Sequence, residues 1–197
     1  MTKWIFNEFQ EWIMKIDCPT IILTPGNHDF WFEKMIKQSN TYLFYKLTIL
    51  IDGAAEVYNS TDDKWYKIYG TPWCKQCGPW AYMASHAELA KKYEKIPKDV
   101  DILITHEASN LAEVGSTHDN GTVIQYSSAA LTDEIRRKKP KYALCGHIHT
   151  GNHNLTACPV YDYVFQDEPE WTNVRVANVS ILDESYSIHY QPLTFEL

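Results

Sequence analysis

Three short apolar runs of the chain each end in residues that can ligate a metal ion. The first run leads into Gly26-Asn27-His28-Asp29, the second into His106 and the third into Gly146-His147-Ile148-His149. Imidazole nitrogens and amide oxygens are donors for divalent ions such as zinc, manganese and iron. Each motif alone is a weak indication, because Gly, Asn and Asp are common turn residues. All three in this order, each after an apolar run, favour one shared metal site.

The pattern around these motifs predicts strands that alternate with helices. We expect helices over residues 3–16, 30–38, 84–93 and 127–138, and strands over 20–24, 41–51, 55–58, 64–70, 100–105 and 142–145. Asp52-Gly53 is expected to form a hairpin turn, and the C-terminal third to form antiparallel strands. Such alternation indicates a largely parallel sheet, which binds ligands at the carboxyl ends of its strands. The three motifs should therefore converge on one edge of that sheet.

Length and composition are those of a packed globular protein. The chain has 197 residues, 45% of them hydrophobic, which favours a single domain over residues 1–197. Its formal net charge of −7 leads us to expect neither nucleic acid nor an anionic membrane as a partner. We find no apolar run near the ~18 residues of a spanning helix and no signal-peptide pattern. Together with the odd number of cysteines, five, this predicts a cytoplasmic protein.

The three motifs resemble those of the calcineurin-like metallophosphoesterases. Similarity to the metallophosphoesterase-domain subgroup of that family extends to residues 68–73 and 178–182, to Tyr186, and to the ending Pro192-Leu193-Thr194-Phe195. The resemblance runs from about the first residue to the last. It implies an α/β fold, a four-layer α/β/β/α sandwich with two mixed sheets and a two-metal site at one edge.

The resemblance also implies a role for each polar residue. Asn27, His106 and His147 are similar to ligands of the second metal ion, and His149 is similar to a ligand of the first. His28 would lie beside the scissile phosphate as a catalytic residue, with Asp29 holding its tautomer. The implied cofactors are two divalent ions (manganese, iron or zinc). The implied reaction is hydrolysis of a phosphodiester or phosphomonoester by a metal-bridging hydroxide.

The chain departs from the family pattern before Gly26. The family begins with an Asp-x-His pair and a Gly-Asp pair, which supply first-metal ligands and the carboxylate that bridges both ions. This sequence has neither pair, and its acids before Gly26 are Glu8, Glu11 and Asp17. We therefore expect the domain to be N-terminally incomplete, without its first strand–turn–strand region. Truncation, a split protein and a degenerate relative all remain open, and we favour a missing upstream segment.

Three functions remain open at this stage. The first is a metallophosphoesterase acting on a small phosphate ester. It would need an upstream segment for full activity, with a separate N-terminal chain or a homo-oligomer as partner, and the chain alone would show no robust turnover. The second is a non-catalytic scaffold or regulatory subunit with one metal site. The third is a single-metal binding protein using Asn27, His106, His147 and His149.

Three further features are weaker. Cys74-x-x-Cys77 lacks a second Cys pair, so an aromatic loop is favoured over a metal site. His118 lies in a segment that resembles a turn between two ligand strands, and it is kept as a candidate substrate-binding residue because such loops often line pockets. Glu107 directly follows His106, where a carboxylate would either repel phosphate or tune the imidazole.

Overall fold

The computed structural model describes residues 2–36, 46–119, 122–161 and 171–197. Its helical segments are α1 (Thr2–Trp4), a π-helical stretch (Ile5–Phe9), α2 (Gln10–Lys15), α3 (Phe30–Ile36), α4 (His86–Tyr93), a 3-10 turn (Leu111–Glu113) and α5 (Ala129–Lys138). Its strands are β1 (Ile21–Leu23), β2 (Leu47–Ile49), β3 (Gly53–Asn59), β4 (Lys64–Thr71), β5 (Cys74–Lys75), β6 (Met83–Ala84), β7 (Ile102–Thr105), β8 (Ser116–Asp119), β9 (Thr122–Gln125), β10 (Tyr142–Cys145), β11 (Thr156–Val160) and β12 (Thr172–Asn178). None of the helices in these ranges has the length and apolar character needed to cross a bilayer.

A six-stranded mixed sheet in the order β11-β12-β10-β7-β4-β3 forms the centre of the molecule. The four inner strands run parallel, and the outer strands β11 and β3 are antiparallel to their neighbours. The registers place four buried residues side by side where the parallel strands end: Thr71, Thr105, Cys145 and Asn178. The carboxyl ends of all four strands therefore meet at one edge, as the sequence pattern predicts.

The parallel strands are apolar on both faces because both faces are covered. Leu103 of β7 belongs to a core cluster with residues of α4 and α5, whereas its neighbour Ile102 faces a second cluster with Leu50. The second cluster also receives Ile22 of β1, which pairs in parallel with β2 as a separate small sheet. Trp31 of α3 packs with residues of the π-helical stretch on the far side of this pair.

The order of the layers is therefore α4 and α5, the six-stranded sheet, the β1–β2 pair, and the N-terminal helices with α3. This arrangement confirms the predicted α/β/β/α class. The two sheets approach closely at Gly70 of β4. A Cβ at that position would lie 2.3 Å from Oγ1 of Thr24 and 2.4 Å from Cβ of Leu50. The turn that follows β1 is thereby held against the edge of the large sheet.

The structure corrects the prediction around Asp52. The strand expected over 41–51 is described only as β2, because residues 41–45 lie outside the described ranges. The hairpin turn predicted at Asp52-Gly53 is wrong, since β2 pairs with β1 while β3 pairs with β4. Asp52 instead marks the crossing between the sheets, where its carboxylate accepts hydrogen bonds from Oγ1 of Thr71 and Nε1 of Trp73, both at 2.7 Å. The hairpin of β8 and β9 is a further element that the sequence pattern does not predict.

Candidate metal centre

Five of the predicted site residues meet in one cleft at the carboxyl edge of both sheets. Asn27 and His28 follow β1, His106 directly follows β7, and His147 and His149 follow β10. The cleft has a volume of about 620 Å³, and its remaining lining residues are Tyr126, Ile148, Thr150, Leu182, Glu184 and Tyr186. The roles of the five polar residues stay predictions, but their convergence is a feature of the fold.

His106 lies at the centre of this group. Its Nε2 is 2.9 Å from Oδ1 of Asn27, and its ring centroid is 4.6 Å from that of His147. Gly26 makes the approach possible, because a Cβ there would lie 2.5 Å from Cε1 of the His106 ring. Amide oxygen and imidazole nitrogen at this separation can face a single cation. The donor set therefore fits a divalent metal ion.

Burial keeps the two central imidazoles neutral. Desolvation, with smaller contributions from His147, His28 and His149, lowers the pKa of His106 to about 3. Desolvation also lowers the pKa of His147, and His149 adds to that effect. Neutral imidazole is the form that ligates a metal ion. Both side chains are thus in their ligating form at neutral pH.

His149 is oriented by the C-terminal tail. Its Nδ1 lies 2.8 Å from the backbone carbonyl oxygen of Asp183, and its ring contacts that of Tyr186 edge-on with centroids 5.1 Å apart. Because a carbonyl oxygen only accepts, Nδ1 must carry the hydrogen and Nε2 keeps its lone pair. A second hydrogen bond of this kind commonly fixes the tautomer of metal-ligating histidines. This orientation is compatible with the ligand role predicted for His149, which stays a prediction.

The backbone of the turn that carries His147 is not extended. His147 has φ 68°, and the N–H of Ile148 donates to the carbonyl of Gly146 at 2.8 Å. Buried Asn178 supports this turn from β12. Its Nδ2 donates to the carbonyl oxygens of Ile148 and, at 3.0 Å, of Val114. No pattern in the sequence indicates this supporting role of Asn178.

His28 lines the cleft, and Asp29 follows it in the turn after β1. The His28 side chain is exposed, and its ring centroid is 4.7 Å from that of Trp80. Oδ2 of Asp29 accepts the N–H of Gly26 at 2.7 Å, which closes the turn after β1. Burial raises the pKa of Asp29. The expected partnership of Asp29 with the His28 ring stays a prediction.

The substrate contact expected from His118 also stays a prediction. The backbone of His118 belongs to β8 rather than to a loop, and its side chain lies outside the described part of the structure.

Cys74 is a potential ligand that the sequence analysis set aside. Its Sγ and one ring nitrogen each of His106 and His147 all lie within 4.8 Å of one another. Cys74 is completely buried and lies three residues after the end of β4. The sequence lacks a second Cys pair, and Cys74 was set aside for that reason. The requirement for two Cys pairs, however, applies to zinc sites made of cysteines alone. The position of Cys74 after a parallel strand is the indication that would have found it.

Glu107 supports the site from the protein interior and does not face the cleft. It is 1% exposed, and its Oε2 accepts the backbone N–H of Lys75 at 2.6 Å. This bond ties β5 to the end of β7. Burial raises the pKa of the Glu107 carboxyl to about 7, although the Lys75 N–H acts in the opposite direction.

The donors in the described ranges fit one ion more completely than two. His106 and His147 form a three-member group with Cys74, and Asn27 adjoins it. Among the residues that the structure describes, no carboxylate joins this group, and His149 is the one predicted ligand for a first ion.

A sandwich of this kind, with histidine-bearing turns at one sheet edge, is the arrangement that the sequence resemblance implied. Calcineurin-like phosphoesterase is the family that matches residues 2–151. The chain belongs to this family. Membership makes a phosphoesterase role possible, and the family generally depends on two metal ions.

The relatives are distant and longer than this chain. A UPF0046 protein of Caenorhabditis elegans is 25% identical over an alignment of 185 residues, and the match covers 89% of this chain and 61% of that protein. Human metallophosphoesterase domain-containing protein 1 is 25% identical over an alignment of 170 residues, and the match covers 73% of this chain and 49% of that protein. The chain thus spans less than two thirds of either relative.

A solved crystal structure shares the fold. It superposes with a TM-score of 0.58 over 89% of this chain and 62% of its own, at 14% identity. At that identity the likeness supports the fold alone.

Proposed function

We propose that this protein is a metal-dependent phosphoesterase that hydrolyses a phosphodiester or phosphomonoester. The observation that carries the proposal is the convergence of Asn27, His106 and His147 on one point of the cleft, in a chain of the calcineurin-like phosphoesterase family. The neutral state of both imidazoles supports it, because no proton competes with the cation at neutral pH. Manganese, iron and zinc all suit these donors.

Each cleft residue has a distinct part in this proposal. A bound divalent cation would neutralise phosphate charge and lower the pKa of water. His28 lies exposed beside Trp80, where it would contact the ester and protonate the leaving oxygen. Asp29 holds the turn at Gly26 and so keeps His28 at the cleft. His149, fixed through its Nδ1, offers Nε2 to a first ion.

The cleft itself suits a small substrate. Its volume is about 620 Å³, and Tyr126, Leu182 and Tyr186 line it with aromatic and aliphatic groups. A net charge of −7 disfavours a polyanionic nucleic acid. We therefore propose a small phosphate ester as substrate. The cytoplasm is the proposed location, since the five cysteines are all free, as in a reducing compartment.

Full activity in this proposal requires a carboxylate from outside the described residues. Within those residues, the donor group at His106 contains no Asp or Glu, although a carboxylate shared by two cations is what the family resemblance implies. An upstream segment, a separate chain or a second copy would supply it. We expect the chain by itself to be slow for this reason.

A second candidate function is a non-catalytic metal-binding scaffold. The observation that favours it is that the described residues assemble one group of three potential ligands and leave His149 apart from it. Such a protein would keep one ion for structure. It would hydrolyse no phosphate ester.

Metal content and hydrolysis together test the proposal. The purified chain would be assayed with bis-p-nitrophenyl phosphate and p-nitrophenyl phosphate in the presence of manganese or zinc, and its metal content measured by elemental analysis. We expect slow, metal-dependent hydrolysis that EDTA abolishes. His106→Ala and His147→Ala should each lose bound metal and turnover, because each removes a ligand.

His86→Ala is the matched control. His86 is exposed at the start of α4 and does not line the cleft, so its replacement should change neither quantity. Unchanged metal content in both ligand variants would refute the metal site. Metal binding without any hydrolysis would favour the scaffold.

A further inference from the structure

A fourth chain segment reaches the candidate metal centre from β4. The strand ends at Thr71, which is in register with Thr105 of β7, the residue before His106. The chain then runs through β5, where the N–H of Cys74 donates to the carbonyl of Tyr82 at 3.0 Å and β5 pairs with β6. Glu107 holds the next residue, Lys75, through its backbone N–H. Cys74 is therefore fixed on both sides, next to the ligand strand.

The surroundings of Cys74 leave its sulfur available to a cation. The side chain is 0% exposed, and the hydrogen-bond contacts of Sγ with residues that the structure describes are weak ones at 4.0 Å, with the carbonyl of Tyr82 and Sδ of Met83. Its distance to one ring nitrogen each of His106 and His147 is at most 4.8 Å. In a tetrahedral zinc site the ion lies about 2.3 Å from sulfur and about 2.0 Å from nitrogen. Three donor atoms within 4.8 Å of one another are near enough to share such an ion once their side chains turn toward it.

We propose that the Cys74 thiolate ligates the same cation as His106 and His147. The cation would then have two nitrogen ligands and one sulfur ligand, and Asn27 adjoins them through its contact with His106. Binding releases the thiol proton to solvent, and the sulfur–metal bond forms in its place. This inference rests on the metal site of the proposed function and deepens it. A thiolate favours zinc, cobalt or iron over manganese, so it also narrows the identity of the ion.

Cobalt substitution tests the assignment without relying on activity. The metal-free full chain would be titrated with Co²⁺ and its absorption followed. Thiolate coordination gives a sulfur-to-cobalt charge-transfer band in the near ultraviolet, beside the visible bands of the tetrahedral ion. We expect one such band per bound cobalt. Cys74→Ser should abolish it and weaken cobalt binding about tenfold or more.

Cys77→Ser is the matched control, because Cys77 is an exposed thiol three residues away. It should leave the charge-transfer band intact. X-ray absorption of the zinc-loaded parent chain gives a second measurement that does not depend on a variant. We expect one sulfur at about 2.3 Å from zinc, in the parent and in Cys77→Ser alike.

The outcomes separate this inference from the proposed function. If bound cobalt shows visible bands but no charge-transfer band, the role of Cys74 is overturned and the phosphoesterase proposal stands. The same holds if bound zinc has nitrogen and oxygen neighbours but no sulfur. A band that survives in Cys74→Ser also overturns that role. No cobalt binding at all overturns both proposals. A sulfur ligand together with no hydrolysis supports Cys74 and refutes the phosphoesterase.

Discussion

At the scale of single residues, His106 connects most of the features of the site. The absent Cβ of Gly26 makes room for its ring, Asn27 lies at hydrogen-bond distance from its Nε2, and His147 and Cys74 adjoin it. Burial lowers its pKa to about 3, so the ring is neutral at pH 7 and one of its nitrogens keeps a lone pair for a cation. A buried cluster of neutral donors binds one positive ion more readily than it accepts a proton on each ring, because the protonated rings would repel one another.

Glu107, next to His106, gives a prediction for the pH dependence of stability. Burial raises the pKa of its carboxyl from 4.5 to about 7, so between these values the folded protein binds more protons than the unfolded chain. The contribution of Glu107 to stability is complete below pH 4.5 and is lost as pH rises through 7. Glu107→Gln removes this loss and keeps an acceptor for Lys75. When the pH is raised from 5 to 8, the free energy of unfolding of the variant should therefore increase by about 2 kcal/mol relative to that of the parent.

Urea unfolding of both proteins at the two pH values measures the effect. Because the same histidines titrate in both chains, the difference between them isolates Glu107. Glu94→Gln replaces an exposed residue at the end of α4. Its free energy of unfolding should differ from that of the parent by the same amount at both pH values. A difference for Glu107→Gln that does not depend on pH would contradict the burial argument.

At the scale of elements, the site is a property of strand ends. Each of β1, β7 and β10 is a short apolar run whose carboxyl end continues into a turn with a polar donor, and β4 leads to Cys74 in the same way. A parallel sheet places such ends at one edge. The shape of each turn then depends on contacts from neighbouring elements, and Asn178 of β12 shows this for the turn at His147.

Asn178→Ala should therefore disturb both stability and metal binding. The change leaves the carbonyls of Val114 and Ile148 without the donor Nδ2, and the N–H of Ser180 without the acceptor Oδ1. Loss of these partners for buried groups predicts a destabilisation of about 2–4 kcal/mol in urea unfolding. Metal affinity should fall as well, because the His147 turn loosens.

Asn173→Ala on the same strand is the control. Asn173 is exposed, so its replacement should change the free energy of unfolding by less than about 0.5 kcal/mol. Wild-type metal affinity in Asn178→Ala would show that the turn holds His147 without support from β12.

At the scale of the whole molecule, the site depends on how closely two sheets pack. Asn27 and His28 follow β1 of the small sheet, whereas His106, His147 and Cys74 follow strands of the large one. The donors meet only because Gly70 lets the segments at Thr24 and Leu50 approach β4. The distance between sheets therefore controls the distance between donors.

Gly70→Ala tests this dependence. Its Cβ would lie 2.3 Å from Oγ1 of Thr24 and 2.4 Å from Cβ of Leu50, so the sheets must separate. We expect a destabilisation of about 1–3 kcal/mol in urea unfolding, and weaker metal binding because Asn27 moves away from His106. Gly53→Ala is the control, since the nearest atom to its added Cβ is the carbonyl oxygen of Ile51 at 3.7 Å. Equal stability of the two variants would contradict the role of Gly70.

Local patterns were enough to predict much of the fold. The apolar runs of β7 and β10 and the amphipathic spacing of α4 and α5 are visible in the chain, because such patterns repeat over a few residues. Asp52 shows the limit: a turn dipeptide between two strands indicates a hairpin, but only long-range pairing decides that the chain crosses to another sheet there.

By itself, the sequence determined which residue types follow the strands. It therefore indicated that His106, His147, His149 and Asn27 could meet. Tertiary structure alone decided that Cys74 joins them and that Asn178 supports their turn. The physical reason is that ligation depends on distances between atoms on strands far apart in the chain. Strand order, register and sheet spacing set those distances, and none of the three is a property of a local stretch of sequence.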